Sequence, residues 1–273
     1  LDEGEGGRGE GEERRAETRR NWARMTTDSY SLAIDGSTYE GSVALLRGAR
    51  VVAERTLKEE DGTAPRAGRG ERLMPAIADC LREVGVARGE IGRIVCGSGP
   101  GSFTSLRVAG SVAKGLAEGF GVELYAVSSL LLTVAGAKPP LPSGEYLSVL
   151  DAMRDEFYAA RILVPPRLSP LPVDGIRSPD QHAERAIAGV QTEPPSIITA
   201  QRLQELAGAE RALKVVGPGQ QIDAHPHARG VAPLLETIIE AGPVDLASWE
   251  PDYGRLAEAQ VRWEATHGRK LTT

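Results

Sequence analysis

The 273-residue sequence predicts an α/β fold. Three strand-like stretches follow one another, Tyr30 to Asp35, Ser42 to Leu46 and Arg50 to Leu57, separated only by the turns Gly36 to Gly41 and Arg47-Gly48-Ala49. Connections that short make the three an antiparallel meander. Helices and strands then alternate, the pattern of a partly parallel sheet with helices on its faces. The chain is long enough for one large domain or two small lobes.

The elements after the meander follow in order. A polar, Gly-rich loop occupies 58–70. Glu71 to Val84 then sets Leu73, Ile77, Cys80, Leu81 and Val84 at helical spacing on one stripe, and Gly85 stands where a helix-ending glycine would. Ile94, Val95 and Cys96 form a short apolar strand and Gly97, Gly99 and Gly101 a turn. A long helix from Thr104 to Gly119 comes next, with Ser102 or Thr104 as its cap. A strand (Glu123 to Val127), a short helix (Ser129 to Ala137) and a strand (Tyr146 to Leu150) follow. This succession is that of one lobe of the actin-like ATPase (ribonuclease H-like) fold. Asp155 to Val164 is expected to lead into a second, reduced lobe. There Pro165, Pro166, Pro170 and Pro172 interrupt regular structure, and Leu213 to Val216 before Gly217-Pro-Gly219 forms a further strand and turn. Residues 245–266 are helix-prone apart from a break at Pro251 to Gly254. The expected division is an N-terminal extension (1–28), a first lobe (29–150) and a second lobe with a C-terminal helix (151–273).

Composition narrows the class. Residues 1–24 mix Glu, Arg and Gly with almost no apolar groups and are expected to be disordered. They have neither the apolar core of a secretory signal nor the acid-poor character of a transit peptide, and Met25 is read as the natural start. The chain is 41% hydrophobic and 26% charged, a soluble globule. A net charge of −6 and a pI of 5.4 weigh against unaided RNA binding, which needs clustered Lys and Arg. No apolar run is long enough to span a bilayer. The two cysteines, Cys80 and Cys96, read as small core residues in a reducing, cytoplasmic setting.

The glycine turn is the first candidate site, because a strand, a glycine turn and a helix start present backbone N–H groups to an anion or a partner. It matches neither common phosphate motif. Ser102 stands where the dinucleotide fingerprint needs glycine, and Lys114 lies between Ala113 and Gly115 where a Walker lysine would follow glycine. The long helix after it is built of Ala109, Gly110, Ser111, Ala113, Gly115 and Ala117 with interspersed larger groups. More than one of its faces is expected to be buried, either inside this chain or against another subunit.

The wider string Gly99-Pro-Gly-Ser-Phe-Thr-x-Leu-Arg107, with Ala113-Lys-Gly-Leu116 and Val127-Ser-Ser-Leu130, resembles the TsaB family. That family is the non-catalytic partner in bacterial tRNA threonylcarbamoyladenosine synthesis. Leu32-Ala-Ile-Asp-Gly-Ser-Thr38, Gly41-Ser-Val-Ala-Leu45, Asp151-Ala-x-Arg154-x-Glu156-x-Tyr158, Pro251-x-Tyr253-x-Arg255 and Ala257-Glu-Ala-Gln260 extend the resemblance from Tyr30 to Leu271. The resemblance implies the actin-like fold and a scaffold with no catalytic residue and no metal of its own. It implies the metal-containing paralogue TsaD as partner, the ATPase TsaE in the same complex, tRNA reached only through that complex, and no membrane; a homodimer is the alternative when the chain is alone. The implied interface is Leu73, Ile77 and Leu81 of the first helix with Leu106, Ala109, Gly110, Ala113 and Leu116 of the second. ATP or ADP is expected only at the partner interface, with Asp35, Ser37, Thr38, Gly99, Gly101 and Ser102 as candidate contacts. Asp35-Gly-Ser-Thr38 looks like the first phosphate loop of actin-like ATPases; on residue chemistry alone, Asp35 and Ser37 would equally well stabilise a turn.

Three positions depart from the family pattern: Gly36 where threonine is usual, Ser105 where glycine is usual, and Gly254 where leucine is usual. The catalytic paralogues carry two metal-binding histidines on the helix that corresponds to Glu71 to Val84, which holds none. The four histidines are His182, His225, His227 and His267. His225-Pro-His227 lacks an evident third ligand and reads as a surface loop, and His267-Gly-Arg-Lys270 as solvated charge. Asp151, Arg154 and Glu156 alternate as if along a strand face, with Arg154 and Glu156 expected to pair. Two other classes remain in view: a stand-alone ATPase or sugar kinase, supported by Asp35 and the glycine turn, and a metallopeptidase, which needs metal ligands and an activated water.

Overall fold

The computed structural model describes residues 29–57, 69–166, 189–209, 213–255 and 266. The extension 1–28, most of the 58–70 loop, Pro170, Pro172, His182, Ala257 to Gln260 and His267 to Lys270 lie outside the described residues.

The meander forms as expected. β1 (Tyr30–Asp35), β2 (Ser42–Arg47) and β3 (Arg50–Thr56) are antiparallel, with Leu32 opposite Leu45 and Ile34 opposite Val43. β1 then pairs in parallel with β4 (Ile91–Gly97), and β4 with β5 (Glu123–Val127). The result is a five-stranded sheet in the order β3-β2-β1-β4-β5.

Strand alternation decides which helices cover which face. Leu32, Ile34, Ile94 and Cys96 turn to one side, where α1 (Arg69–Val84) and α2 (Phe103–Phe120) cover them with Leu73, Ile77, Cys80, Ala109, Ala113 and Ala117. Ala33, Ala44 and Val95 turn to the other, under Leu132 of α3 (Ser129–Ala135) and Val231, Leu234, Leu235 and Ile238 of α5 (Val231–Ala241). α2 ends on Gly121, whose φ of 68° is the left-handed cap that glycine accepts without a Cβ clash.

The second sheet is six-stranded: β11 (Ile222–Asp223), β10 (Lys214–Gly217), β6 (Gly144–Asp151), β7 (Glu156–Val164) and β8 (Val190–Gln191) in order, with β9 (Ser196–Thr199) also on β7. Its outer strands are short. The strand at Tyr146 to Leu150, placed in the first lobe by sequence, belongs to this second sheet. The change of sheet therefore falls between β5 and β6. α3 is the wedge between the sheets. Leu132 faces the first, while Leu130 and Val134 pack with Tyr146, Leu150 and Ile162 of the second. α4 (Ala200–Ala209) covers the far side of the second sheet through Leu203.

After α5 the chain returns to the first lobe. The break expected at Pro251 to Gly254 is present, but Asp245 to Glu250 is not helical either, contrary to expectation, and the reason is local. Asp245 accepts from Ala247 N and Ser248 Oγ in a tight turn, and Pro251 stops a helix from forming beyond it. The segment becomes a strap across α2. Val244 N donates to Leu124 O (2.9 Å), Lys114 Nζ to Trp249 O (3.0 Å) and Asp252 N to Ser98 O (2.7 Å). A Cβ on Gly110 would lie 3.0 Å from Pro251 Cγ, so the small residues of α2 leave room for this strap.

Candidate functional site

Asp35 sits at the end of β1, fully buried. Its Oδ1 accepts from Ser37 N (3.1 Å) and Ser37 Oγ (2.7 Å), and its Oδ2 from Ser129 Oγ (2.7 Å). Ser129 Oγ in turn accepts from Gly99 N (3.1 Å), and Ser129 N donates to Gly99 O (2.8 Å). Burial raises the Asp35 carboxyl above its ordinary range, and the hydrogen bonds from Ser129 and Ser37 oppose that only in part.

The glycine turn is clasped onto this node. Ser102 N donates to Ser37 O at 2.7 Å. A Cβ on Gly101 would lie 2.1 Å from Ser37 O, and one on Gly97 1.9 Å from Asp35 Oδ2, so neither position has room for a side chain. The fold thus brings Asp35, Ser37, Gly99, Gly101 and Ser102 together, but turned toward each other; Thr38 Oγ1 is buried without a partner among the described residues. Ser102 stands at the N-cap of α2 without a side-chain cap bond and meets Ser105 Oγ at 3.1 Å instead.

Two family departures, Gly36 and Gly254, have packing reasons in this chain. A Cβ on Gly36 would lie 2.6 Å from Ala109 Cβ and 2.9 Å from Ser105 O. The start of α2 occupies the space that a larger residue at position 36 would need. Gly254 has a φ of 66°, and a Cβ there would meet the Tyr158 ring at 2.4 Å.

The expected interface residues lie largely inside this chain. Leu73, Ile77, Leu106, Ala109, Gly110 and Ala113 are buried within this chain, and Leu81 and Leu116 are half-buried. They hold α1 and α2 to the sheet and to the strap. The outward faces are different residues: Met74, Ala78 and Arg82 on α1, and Ser111, Gly115 and Glu118 on α2. Nothing lies within 4 Å of a Cβ built on Gly115. A helical stripe names a buried face, but not whether the chain's own sheet or another subunit buries it.

The remaining polar groups also resolve. Glu156 pairs with Arg255, not with Arg154, because Met153, Arg154 and Asp155 form a turn with positive φ and not a strand. His227 is buried and structural: Nδ1 accepts from Arg229 N (3.0 Å), which leaves Nε2–H to donate to Thr56 Oγ1 (3.2 Å). Burial lowers its pKa to about 4, with Arg229 adding to the effect. His225 is half-exposed near Glu40 and Asp223. No group of three or more His, Cys, Asp or Glu among the described residues could hold a metal ion, and no described helix is long and apolar enough to cross a membrane. A cavity of about 980 Å³ opens away from the glycine turn, between the outer edge of β3, the segment after α3 and the end of β7. Glu54 and Arg229 line it, Glu54 bound by Lys138 and Arg229.

Sequence reasoning missed Ser129. Its string, Val127-Ser-Ser-Leu130, stood out, but a serine 94 residues from Asp35 gives no local sign of pairing with it.

Fold and site together define a two-lobed protein of the actin-like ATPase fold whose aspartate at the end of β1 is closed in by its own chain. The family model described as TsaD, tRNA N6-adenosine threonylcarbamoyltransferase, matches residues 50–164. The tRNA threonylcarbamoyladenosine biosynthesis protein TsaB of Bacillus subtilis is 27% identical over 248 residues, 85% of this chain and 96% of that protein. The Escherichia coli protein of the same name is 33% identical over 129 residues, 47% of this chain and 53% of that one. The solved structure of YeaZ from Pseudomonas aeruginosa superposes with a TM-score of 0.59 at 24% identity, over 82% of this chain and 99% of that one. A second Pseudomonas aeruginosa structure, described as similar to peptidase YeaZ, gives 0.62 at 25%, over 83% and 100%. In sequence and in fold the chain is similar to the TsaB proteins.

Proposed function

We propose that this chain is a non-catalytic scaffold in the formation of threonylcarbamoyladenosine in tRNA, and that it binds and positions the TsaD-type paralogue that performs the transfer. Its relatives carry the name of that pathway. The observation that carries the scaffold reading is the closure of Asp35: both carboxylate oxygens are engaged by Ser37 and Ser129, and glycines fill the space around them. An actin-like ATPase needs that carboxylate and the adjoining turn open to a metal and a nucleotide. Contact with the paralogue falls to the outward faces of α1 and α2, where Ser111 and Gly115 let another helix approach closely. The scaffold acts by binding one state of the catalytic subunit better than another.

Reconstitution tests this. The threonylcarbamoylation of tRNA by the paralogue from the same genome is expected to fall to background when this chain is left out and to return when it is added. The chain alone is expected not to hydrolyse ATP. Modification at full rate without it, with ATP hydrolysis by the isolated chain, would replace the scaffold reading with the stand-alone ATPase.

A further inference from the structure

Three motifs far apart in sequence converge on one surface. Phe103 and Arg107 lie at the start of α2, Tyr253 and Arg255 on the strap, and Glu156 and Tyr158 at the start of β7. The Phe103 and Tyr253 rings are 4.6 Å apart at 49°. Arg107 lies over both, its Cζ 4.3 Å from the Phe103 centroid and 5.6 Å from that of Tyr253. The strap is fixed beneath them by Tyr158 Oη donating to Tyr253 O (3.1 Å) and by the Arg255–Glu156 ion pair.

Arg107 is exposed, and among the described residues its guanidinium has ring contacts but no hydrogen bond or ion pair. Two rings therefore hold a permanently charged group in place while its N–H donors have no hydrogen-bond partner among the described residues. That arrangement is pre-organised for a planar oxyanion, which it meets with two parallel hydrogen bonds. Tyr and Arg in one cluster is also the composition of interface hot spots. The whole chain carries a charge of −6. Such a field disfavours a polyanion such as RNA and tolerates a single carboxylate.

We propose that Arg107, held on Phe103 and Tyr253 at the start of the outward face of α2, is the anchor for an Asp or Glu carboxylate of the paralogue. This rests on the scaffold reading above.

Calorimetric titration of the paralogue with wild-type chain, Arg107→Met, Arg107→Lys and Tyr253→Leu tests it. Arg107→Met is expected to weaken binding roughly 30-fold, the scale of a hot-spot side chain. Arg107→Lys is expected to recover little of that, since lysine keeps the charge but loses the fork and the stacking. Tyr253→Leu is expected to weaken binding by a smaller factor. Both Arg107 variants should melt within a few degrees of wild type, because Arg107 is exposed. Wild-type affinity in Arg107→Met overturns the proposal and leaves the scaffold reading standing. Full recovery by Arg107→Lys also overturns it, since charge alone would then suffice. Unchanged affinity for the paralogue with weakened tRNA binding by the assembled pair would make the anion a phosphate of RNA and overturn the carboxylate. No binding by wild type overturns the scaffold reading and this proposal together.

Discussion

Ser129 Oγ donates to Asp35 Oδ2 at 2.7 Å while accepting from Gly99 N at 3.1 Å, so one hydroxyl joins the end of β1, the glycine turn and α3. Removing it should be costly. Ser129→Ala leaves one carboxylate oxygen and one buried N–H without partners, a loss of about 1–3 kcal/mol. It also removes a group that favours the charged carboxylate, so the already raised Asp35 pKa should rise further. A carboxyl with a raised folded pKa contributes stability at low pH that is lost as pH rises through that value. The cost of Ser129→Ala, measured by urea unfolding across pH, is therefore expected to grow as pH rises. A cost that is the same at every pH would mean that Asp35 does not sense the serine.

Gly36 is the second node. Gly36→Ala would place its Cβ 2.6 Å from Ala109 Cβ and 2.9 Å from Ser105 O, both in the packed interior. Overpacking of this kind costs about 1–3 kcal/mol. Ala109→Gly in the same chain removes the closer contact but not the carbonyl, and it adds about 1 kcal/mol of helix penalty. The double variant should therefore be no more stable than Gly36→Ala by more than a small margin. Thermal unfolding of the three variants measures this, and a Gly36→Ala protein as stable as wild type would contradict the packing account.

His227 should give acid sensitivity. Its pKa is lowered from 6.5 to about 4, with burial the larger cause. The neutral ring is the one that accepts from Arg229 N and donates to Thr56 Oγ1. A histidine with a depressed folded pKa contributes stability above its unfolded pKa and loses it as pH falls toward the folded one. Between pH 6.5 and 4 the loss attributable to His227 is on the order of 3 kcal/mol. His227→Asn keeps an acceptor for Arg229 N without a titrating ring. The difference in unfolding free energy between wild type and this variant should slope across that window and be flat above it; a flat difference throughout would contradict the assignment.

The helix variants separate interior from surface. Ala113 is fully buried, so Ala113→Arg should lower stability by several kcal/mol by forcing an unpaired charge inside. Ser111 is exposed two residues away, and Ser111→Arg should leave the melting temperature nearly unchanged while disrupting partner contact. Circular dichroism melts of both check the stability half of this contrast.

Much of the fold was legible because local pattern determines it. Meander turns of two to six residues, the alternation in β1 and β4, and the stripe from Leu73 to Val84 each left a periodic trace. The strap did not. Leu246 and Trp249 looked helical because apolar spacing is the same whether a helix or an irregular segment presents those groups to α2. At the site, Asp35 and the glycine turn could be picked out by residue type, while the partners that close them in, Ser129 and Ala109, are contacts across the fold. The stripe expected at the interface is largely buried within the chain. That α1 and α2 bury it against their own sheet and strap depends on tertiary packing, which spacing does not encode.

Light scattering on this chain mixed with the TsaD-type paralogue tests the central claim most directly. A particle with the mass of the joined chains is expected, and it should be lost with folded Ser111→Arg protein. Two folded proteins that elute separately at every concentration would contradict the scaffold account.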